Sequence, residues 1–135
     1  MRLLVLTAAL FAALTGAAHG AYFKTPSGNI VCDGSSSRVE CEIKSGLRPK
    51  PAKRDCGGAG AYSDTRVALT RSGRATPIVC AGDVGPAASE RSAKVLRYGQ
   101  SRTFGRLRCT STEKGLTCRN GSHGFFLSRG SWRSF

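Results

Sequence analysis

Two stretches of the sequence determine the expected fold, GNIVCDGSSSRVEC at residues 28–41 and GRLRCTSTEKGLTC at residues 105–118. Both fit the pattern Gly-x-(Ile/Leu)-x-Cys-x6-(Val/Leu)-x-Cys. Residues two apart lie on the same face of a β-strand, so each cysteine shares a face with an aliphatic neighbour. Each stretch therefore predicts a β-hairpin closed by a disulfide across its two strands. Placing Cys32 opposite Cys41 also places Ile30 opposite Ile43.

Weaker patterns predict the rest of the chain. Residues 66–70 and 75–80, on either side of a turn at 71–74, indicate a third hairpin. Further short elements are expected as strands at 95–98 and 124–127, a turn of helix within 87–94, and a Pro-rich basic connector over 47–54. The sequence thus predicts an all-β domain of hairpins with irregular loops, arranged like a sandwich or a barrel.

The first 20 residues are typical of a cleaved signal peptide. Met1-Arg2 gives a positive start, an apolar run covers residues 3–18, and Ala18-His19-Gly20 offers a small-x-small cleavage site. The run is shorter than the roughly 20 residues that cross a bilayer. We therefore predict a signal peptide at 1–20 and a single mature domain at 21–135. We expect that domain to have no transmembrane segment and to reside in the periplasm or to be secreted.

The mature composition explains why cysteines are needed. Val, Ile, Leu and Phe supply only 20 of the 115 residues after residue 20, and 20 basic against 8 acidic residues leave a net charge of +12. A chain with so few core residues and so much charge would be disordered without cross-links. This composition also excludes a coiled coil, a repeat solenoid and an enzyme with a large core.

Six cysteines in a small exported chain indicate a disulfide framework. The predicted pairs are Cys32–Cys41, Cys109–Cys118 and, as the remaining pair, Cys56–Cys80. Each bridge contributes about 2.5–3.5 kcal/mol in the chain-entropy model, enough to decide whether this domain folds. Because no Cys-x-x-Cys pair occurs and His123 is the only mature histidine, no metal site and no cofactor are expected.

Several segments occur in a recognisable order, among them Phe23-x-Thr25-Pro26-Ser27-Gly28-Asn29-Ile30-x-Cys32, Leu96-x-Tyr98-Gly99-Gln100-Ser101, Gly115-Leu116-Thr117-Cys118-x-Asn120 and His123-Gly124-Phe125-Phe126-Leu127-Ser128-Arg129. Together they resemble a family of small exported bacterial domains of unknown function. The resemblance spans residues 23–129. It implies a bacterial exported protein with cysteines near hairpins, and it implies no activity and no catalytic residues.

The charge pattern suggests a binding surface. Read as one strand, residues 101–109 place Arg102, Phe104, Arg106 and Arg108 on a single face. Guanidinium groups around an aromatic ring can bind an anionic polymer through paired hydrogen bonds and stacking. A second contact strip is expected at the basic residues of the connector, Arg48, Lys50, Lys53 and Arg54. The alternative is a solvated face in a protein that is basic throughout.

These features favour a monomeric, non-catalytic domain over an enzyme. Its expected ligands are anionic envelope components such as teichoic acid, lipopolysaccharide or phospholipid headgroups, or extracellular nucleic acid. One alternative is a small secreted hydrolase or toxin in which His123 acts as a base beside Asp55, Asp64 or Asp83. No recognisable catalytic motif supports that alternative.

A second alternative is an inhibitor or partner of another envelope protein. Large exposed apolar patches usually mark protein interaction sites. The sequence would place such a patch around the aromatic residues near its end, Phe125, Phe126, Trp132 and Phe135.

Overall fold

The computed structural model describes residues 21–135, so the predicted signal peptide lies outside the described residues. Strands make up 43% of the structure and helix 6%, which confirms the all-β class. A single 3-10 helix covers Pro86–Ser92. The strands are β1 Ala21–Lys24, β2 Ile30–Gly34, β3 Arg38–Ile43, β4 Ala61–Tyr62, β5 Arg66–Thr70, β6 Thr76–Pro77, β7 Cys80–Ala81, β8 Lys94–Val95, β9 Ser101–Phe104, β10 Leu107–Thr112, β11 Gly115–Arg119, β12 Gly124–Leu127 and β13 Trp132–Ser134.

Two larger sheets and one small ribbon organise these strands. The first sheet has the order β6-β5-β3-β2-β1-β8, the second has the order β13-β12-β11-β10-β9, and β4 pairs with β7. All neighbours are antiparallel except β1 and β8. The sheets are open and do not close into a barrel. No helix within residues 21–135 has the length and hydropathy to cross a bilayer.

The two larger sheets pack face to face around one apolar core. That core joins residues of the first sheet, such as Phe23 and Leu69, to residues of the second, such as Leu107 and Phe125. All four are at most 1% exposed. The arrangement is therefore a β-sandwich, in which each sheet also has an outer face that points away from this core.

The structure has three disulfides, two that join the pairs predicted from hairpin spacing and one that joins the remaining predicted pair. Cys32 lies opposite Cys41 with Ile30 opposite Ile43, as expected for the first hairpin. The second hairpin has the equivalent bridge, Cys109–Cys118, and both bridges are fully buried in the sandwich core. The third bridge, Cys56–Cys80, ties the segment after the connector to β7 and is partly exposed. Three disulfides are compatible with an exported protein.

The prediction of one strand over residues 101–109 is wrong. The chain turns back at Gly105 and Arg106, so that Leu107 pairs with Phe104 and Cys109 pairs with Arg102. Gly105 has φ of +61°, a conformation that a tight hairpin turn requires and that side chains disfavour. The turn separates β9 from β10 and changes which side chains share a face.

Two other predicted strands are shorter than expected. Within residues 75–80 only Thr76 and Pro77 pair with β5, and one further backbone bond joins the Ile78 N–H to the Arg66 carbonyl. Within residues 95–98 only Val95 pairs, together with Lys94, alongside β1. The predicted turn of helix is present as the 3-10 helix, which covers the outer face of the first sheet.

Candidate functional site

The four residues predicted to form one basic strand face do not form a common surface. Arg102 and Phe104 lie on the inner side of β9, where the Phe104 ring stacks on Phe23 with 5.8 Å between ring centroids. The guanidinium of Arg102 lies 5.2 Å from the Phe104 ring centroid. Arg106 is in the turn, and Arg108 lies on the opposite face of the sheet. The expectation of a four-residue platform is therefore wrong, because the turn reverses the alternation.

The basic connector lies along the edge of the second sheet. Its backbone is attached to β13, since Trp132 donates its amide N–H to the Arg48 carbonyl and its Nε1–H to the Pro49 carbonyl, both at 2.8 Å. Lys50 forms an ion pair with Asp64 at 3.0 Å. All four predicted basic residues are exposed, namely Arg48, Lys50, Lys53 and Arg54. The connector therefore extends the positive charge of the second sheet beyond its edge strand.

The outer face of the second sheet contains three exposed arginines. They are Arg108 on β10, Arg119 on β11 and Arg133 on β13, and none of them forms an ion pair within residues 21–135. Arg108 lies directly opposite Arg119. Like charges in directly opposite positions destabilise a strand pair. An anion bound between these two side chains would remove that repulsion.

Two aromatic rings support two of these arginines. The Arg119 guanidinium lies 4.8 Å from the Phe135 ring centroid, and the Arg133 guanidinium lies 4.9 Å from the Phe126 ring centroid. Such cation–π contacts contribute about 0.5–1 kcal/mol at exposed sites. Neither guanidinium donates a hydrogen bond to the described part of the chain. Both therefore keep their N–H groups available for a ligand while the rings limit their movement.

Gly124 makes room for this arrangement. It lies between Arg119 on the neighbouring strand and Phe135 on the other side. A Cβ added at Gly124 would lie 2.3 Å from the Cys118 carbonyl oxygen and 3.0 Å from the Phe135 ring. A side chain at this position would displace the ring on which Arg119 rests.

Sequence reasoning missed Arg119 and Arg133 as members of this face. A signal for Arg119 was nevertheless present, because the predicted pairing of Cys109 with Cys118 already places Arg108 opposite Arg119. Arg133 could not be found in the same way. The strand that contains it, β13, has only three residues and was not expected.

The acidic residues lie elsewhere in the molecule. Among the eight of them, only Glu113 falls within residues 101–135, and it lies in the turn between β10 and β11. Three others, Asp33, Glu40 and Glu42, alternate on the outer face of the first sheet. The two outer faces of the sandwich therefore differ in charge, with carboxylates on the first and unpaired arginines on the second.

An ion-pair cluster centred on Arg66 lies on the outer face of the first sheet. Arg66 is only 5% exposed, and its guanidinium forms ion pairs with Glu40 and, at 3.1 Å, with Asp83. The hydrogen bond from Arg66 lowers the pKa of Asp83. Burial, reinforced by the charge of Glu40, raises the pKa of Asp33. This cluster attaches the segment before the 3-10 helix to the sheet, which is a structural role.

His123 does not lie beside a carboxylate. It is half-buried, and its backbone N–H donates to Oδ1 of Asn120 at 3.2 Å. The three predicted partners are engaged elsewhere, since Asp55 accepts from a backbone amide, Asp64 pairs with a lysine and Asp83 pairs with an arginine. Within the described residues no acidic group approaches His123 closely enough for an ion pair. The arrangement needed for a carboxylate-oriented base is absent there.

The predicted exposed apolar patch is also not formed. Phe125 is fully buried in the core, and Trp132 packs against the core while its Nε1–H is hydrogen-bonded. Phe126 and Phe135 are half-buried beneath arginines. Within residues 21–135 no group of three His, Cys, Asp or Glu side chains is placed to hold a metal ion.

Comparison with known proteins gives a family and no activity. One family model matches residues 2–135, and its description is a family of unknown function (DUF6636). No curated protein and no solved structure matches this chain. Its function must therefore be inferred from its own surface.

Proposed function

This chain belongs to the DUF6636 family of unknown function, and we propose that its mature domain is a non-catalytic module that binds anionic polymers of the cell envelope. The proposed contact surface is the outer face of the second sheet, formed by Arg108, Arg119 and Arg133 with the rings of Phe126 and Phe135. We call this surface the arginine face. The observation that carries the proposal is the direct juxtaposition of Arg108 and Arg119 without any counter-ion from the protein.

The chemistry of arginine supports an anionic ligand. A guanidinium presents its donors as a planar fork that matches a phosphate or carboxylate group with two parallel hydrogen bonds. Arg119 and Arg133 are already positioned over aromatic rings, so they lose less side-chain freedom when they bind. A carboxylate of the protein that paired with these arginines would compete with the ligand. Within the described residues no carboxylate forms an ion pair with the arginine face.

The dimensions of the arginine face support a polymer rather than a single ion. Neighbouring strands in a sheet are about 4.8 Å apart, and β10 is three strands away from β13. The backbones that carry Arg108 and Arg133 are therefore separated by about 14 Å. An extended chain of anionic groups matches three cationic side chains that are spread across four strands, because it can contact all of them at once.

The test must locate the binding surface, because a domain with a net charge of +12 attracts any polyanion. We compare two triple variants that remove the same charge. One replaces Arg108, Arg119 and Arg133 with Gln. The control replaces three exposed arginines outside the second sheet with Gln, namely Arg71, Arg74 and Arg91, none of which is in an ion pair.

The probe is poly(glycerol phosphate), a phosphodiester polymer without bases, and binding is measured by titration at several salt concentrations. Loss of three phosphate contacts should reduce the slope of log K against log salt by about 2, at roughly 0.7 per contact for a flexible strand. The control triple should change the affinity less and leave the slope nearly unchanged. Equal losses in the two triples would refute the arginine face as the binding surface.

A further inference from the structure

A polar cleft lies at one end of the sandwich, away from the turn that contains Gly105. The turn between β1 and β2, the turn between β10 and β11, and the turn between β12 and β13 meet there and enclose about 340 Å³. This volume falls in the range of sites that hold small ligands. We call it the end cleft.

The charged groups that line the end cleft have no partners within the protein. Glu113, Lys114 and Arg129 are exposed around it, and none of them forms an ion pair or a hydrogen bond within residues 21–135. Ionised carboxylates only accept hydrogen bonds, whereas ammonium and guanidinium groups only donate them. The end cleft thus offers both kinds of partner to a ligand that contains donors and acceptors together, such as a set of hydroxyl groups.

Tyr98 supplies an apolar surface at the border of the end cleft. Its side chain is 50% exposed, and its hydroxyl has no hydrogen-bond partner in the described chain. The same ring borders a shallow apolar depression formed with Pro26 and Val95, of which Val95 is 48% exposed. An aromatic ring with one polar tip binds ligands that are apolar on one face and polar around the rim.

We propose that the end cleft binds a saccharide ring. In this arrangement the C–H face of the sugar packs on Tyr98, while its hydroxyl groups donate to Glu113 and accept from Lys114 and Arg129. Lys114 and Arg129 attract a free phosphate as well, while Glu113 repels it, so uncharged sugars are the probes that separate a saccharide site from a general anion site. The ligand class follows from this combination of one accessible ring, one carboxylate and two cations.

The end cleft and the arginine face share the hairpin of β10 and β11. Thr112, which borders the end cleft, is four residues along β10 from Arg108, a distance of about 14 Å in an extended strand. A glycan that bears anionic substituents could contact both surfaces. The saccharide site nevertheless stands on its own residues, and it can be tested with sugars that have no charge.

The experiment uses the exported, disulfide-bonded protein and three neutral probes, chitohexaose, cellohexaose and mannohexaose, at concentrations up to about 10 mM. Binding is followed by chemical-shift changes of 15N-labelled protein and by calorimetry. At least one probe should shift the amides of residues 25–30, 112–115 and 128–130. Tyr98→Ala should weaken that binding about tenfold or more, and Glu113→Gln should weaken it as well.

Tyr22→Ala is the matched control, because Tyr22 is also a partly exposed tyrosine, at 37%, and it lies outside the end cleft. It should leave sugar binding unchanged. The Gln triple at Arg108, Arg119 and Arg133 should also retain sugar binding, which separates this proposal from the arginine face. If none of the three sugars shifts the three turns, or if Tyr98→Ala and Tyr22→Ala have equal effects, the saccharide site is refuted.

Discussion

Replacement of Asn120 with Ala should remove a buried polar link between the two sheets. Asn120 is 4% exposed and follows the last residue of β11. Its Nδ2 donates to the carbonyl oxygens of Thr70 at 2.9 Å and Gly73 at 2.8 Å, both near the turn that ends β5. Its Oδ1 accepts from the His123 amide at 3.2 Å. One side chain therefore connects two turns from different sheets.

The expected cost follows from these three bonds. A typical intramolecular hydrogen bond contributes about 0.5–1.5 kcal/mol, and a buried group left unpaired costs about 1–3 kcal/mol. Thr70 and Gly73 are exposed, so water can reach their carbonyl groups after the substitution. The loss of the hydrogen bonds to these two carbonyl groups should therefore cost an amount at the low end of the range for an unpaired group. We expect Asn120→Ala to lower the free energy of unfolding by about 2–3 kcal/mol.

A charged replacement gives a pH signature. In Asn120→Asp the ionised carboxylate would face two carbonyl oxygens, so its pKa in the folded state should be raised above the ordinary value of about 3.9. The variant should then lose stability relative to the wild type as the pH rises through that value and on through the raised pKa. Below the ordinary value the protonated acid can donate one hydrogen bond, and the deficit should be smallest.

The measurement is equilibrium unfolding in urea with the disulfides intact, at several pH values. Asn29→Ala is the matched control, because Asn29 makes two side-chain bonds to Ser45 within one sheet and is only half-buried. That control should cost about 1 kcal/mol or less. A loss in Asn120→Ala no larger than in Asn29→Ala, or a pH-independent deficit in Asn120→Asp, would refute this account of Asn120.

Three further substitutions test single side chains, and two of them are expected to stabilise the protein or leave its stability unchanged, in contrast to Asn120→Ala. Asp33→Asn should stabilise the protein at neutral pH, because burial raises the pKa of Asp33, and the gain should vanish below about pH 3.9 in urea unfolding. Ser111→Ala should raise the thermal midpoint or leave it unchanged, since the buried Oγ has no hydrogen-bond partner; a clear decrease would contradict this. His123→Gln should alter the thermal midpoint more than polymer affinity, and loss of a measured activity at unchanged stability would indicate catalysis.

The hairpins could be predicted because their information is local. A disulfide between Cys32 and Cys41 sets the register of its two strands, and the alternation of side chains then determines which residues enter the core. In the second hairpin the Cys109–Cys118 register places Ser111 opposite Leu116 in the same way. A disulfide within a single hairpin therefore allows the register of one strand pair in each sheet to be predicted from the sequence.

The arginine face could not be predicted because it depends on a turn and on distant strands. A turn signal at Gly105 looks the same as a glycine within a strand, and the two interpretations place Arg102 and Phe104 on opposite faces of the sheet, whereas Arg108 stays on the outer face in both. Arg133 enters the face only because β13 pairs with β12 and is attached to the connector at Arg48. These contacts join parts of the chain that are far apart, and single-strand periodicity carries no information about them.

The buried bridge of the second hairpin explains how this protein can keep two arginines in opposition. Cys109 and Cys118 occupy the next position along the strands from Arg108 and Arg119. A bridge that closes a loop of this size contributes about 2.7 kcal/mol in the chain-entropy model. Repulsion between like charges across a strand pair is of order 0.2–1 kcal/mol. The hairpin therefore stays closed without a ligand. Because a bound anion would relieve the repulsion between Arg108 and Arg119, that repulsion favours anion binding at the outer face.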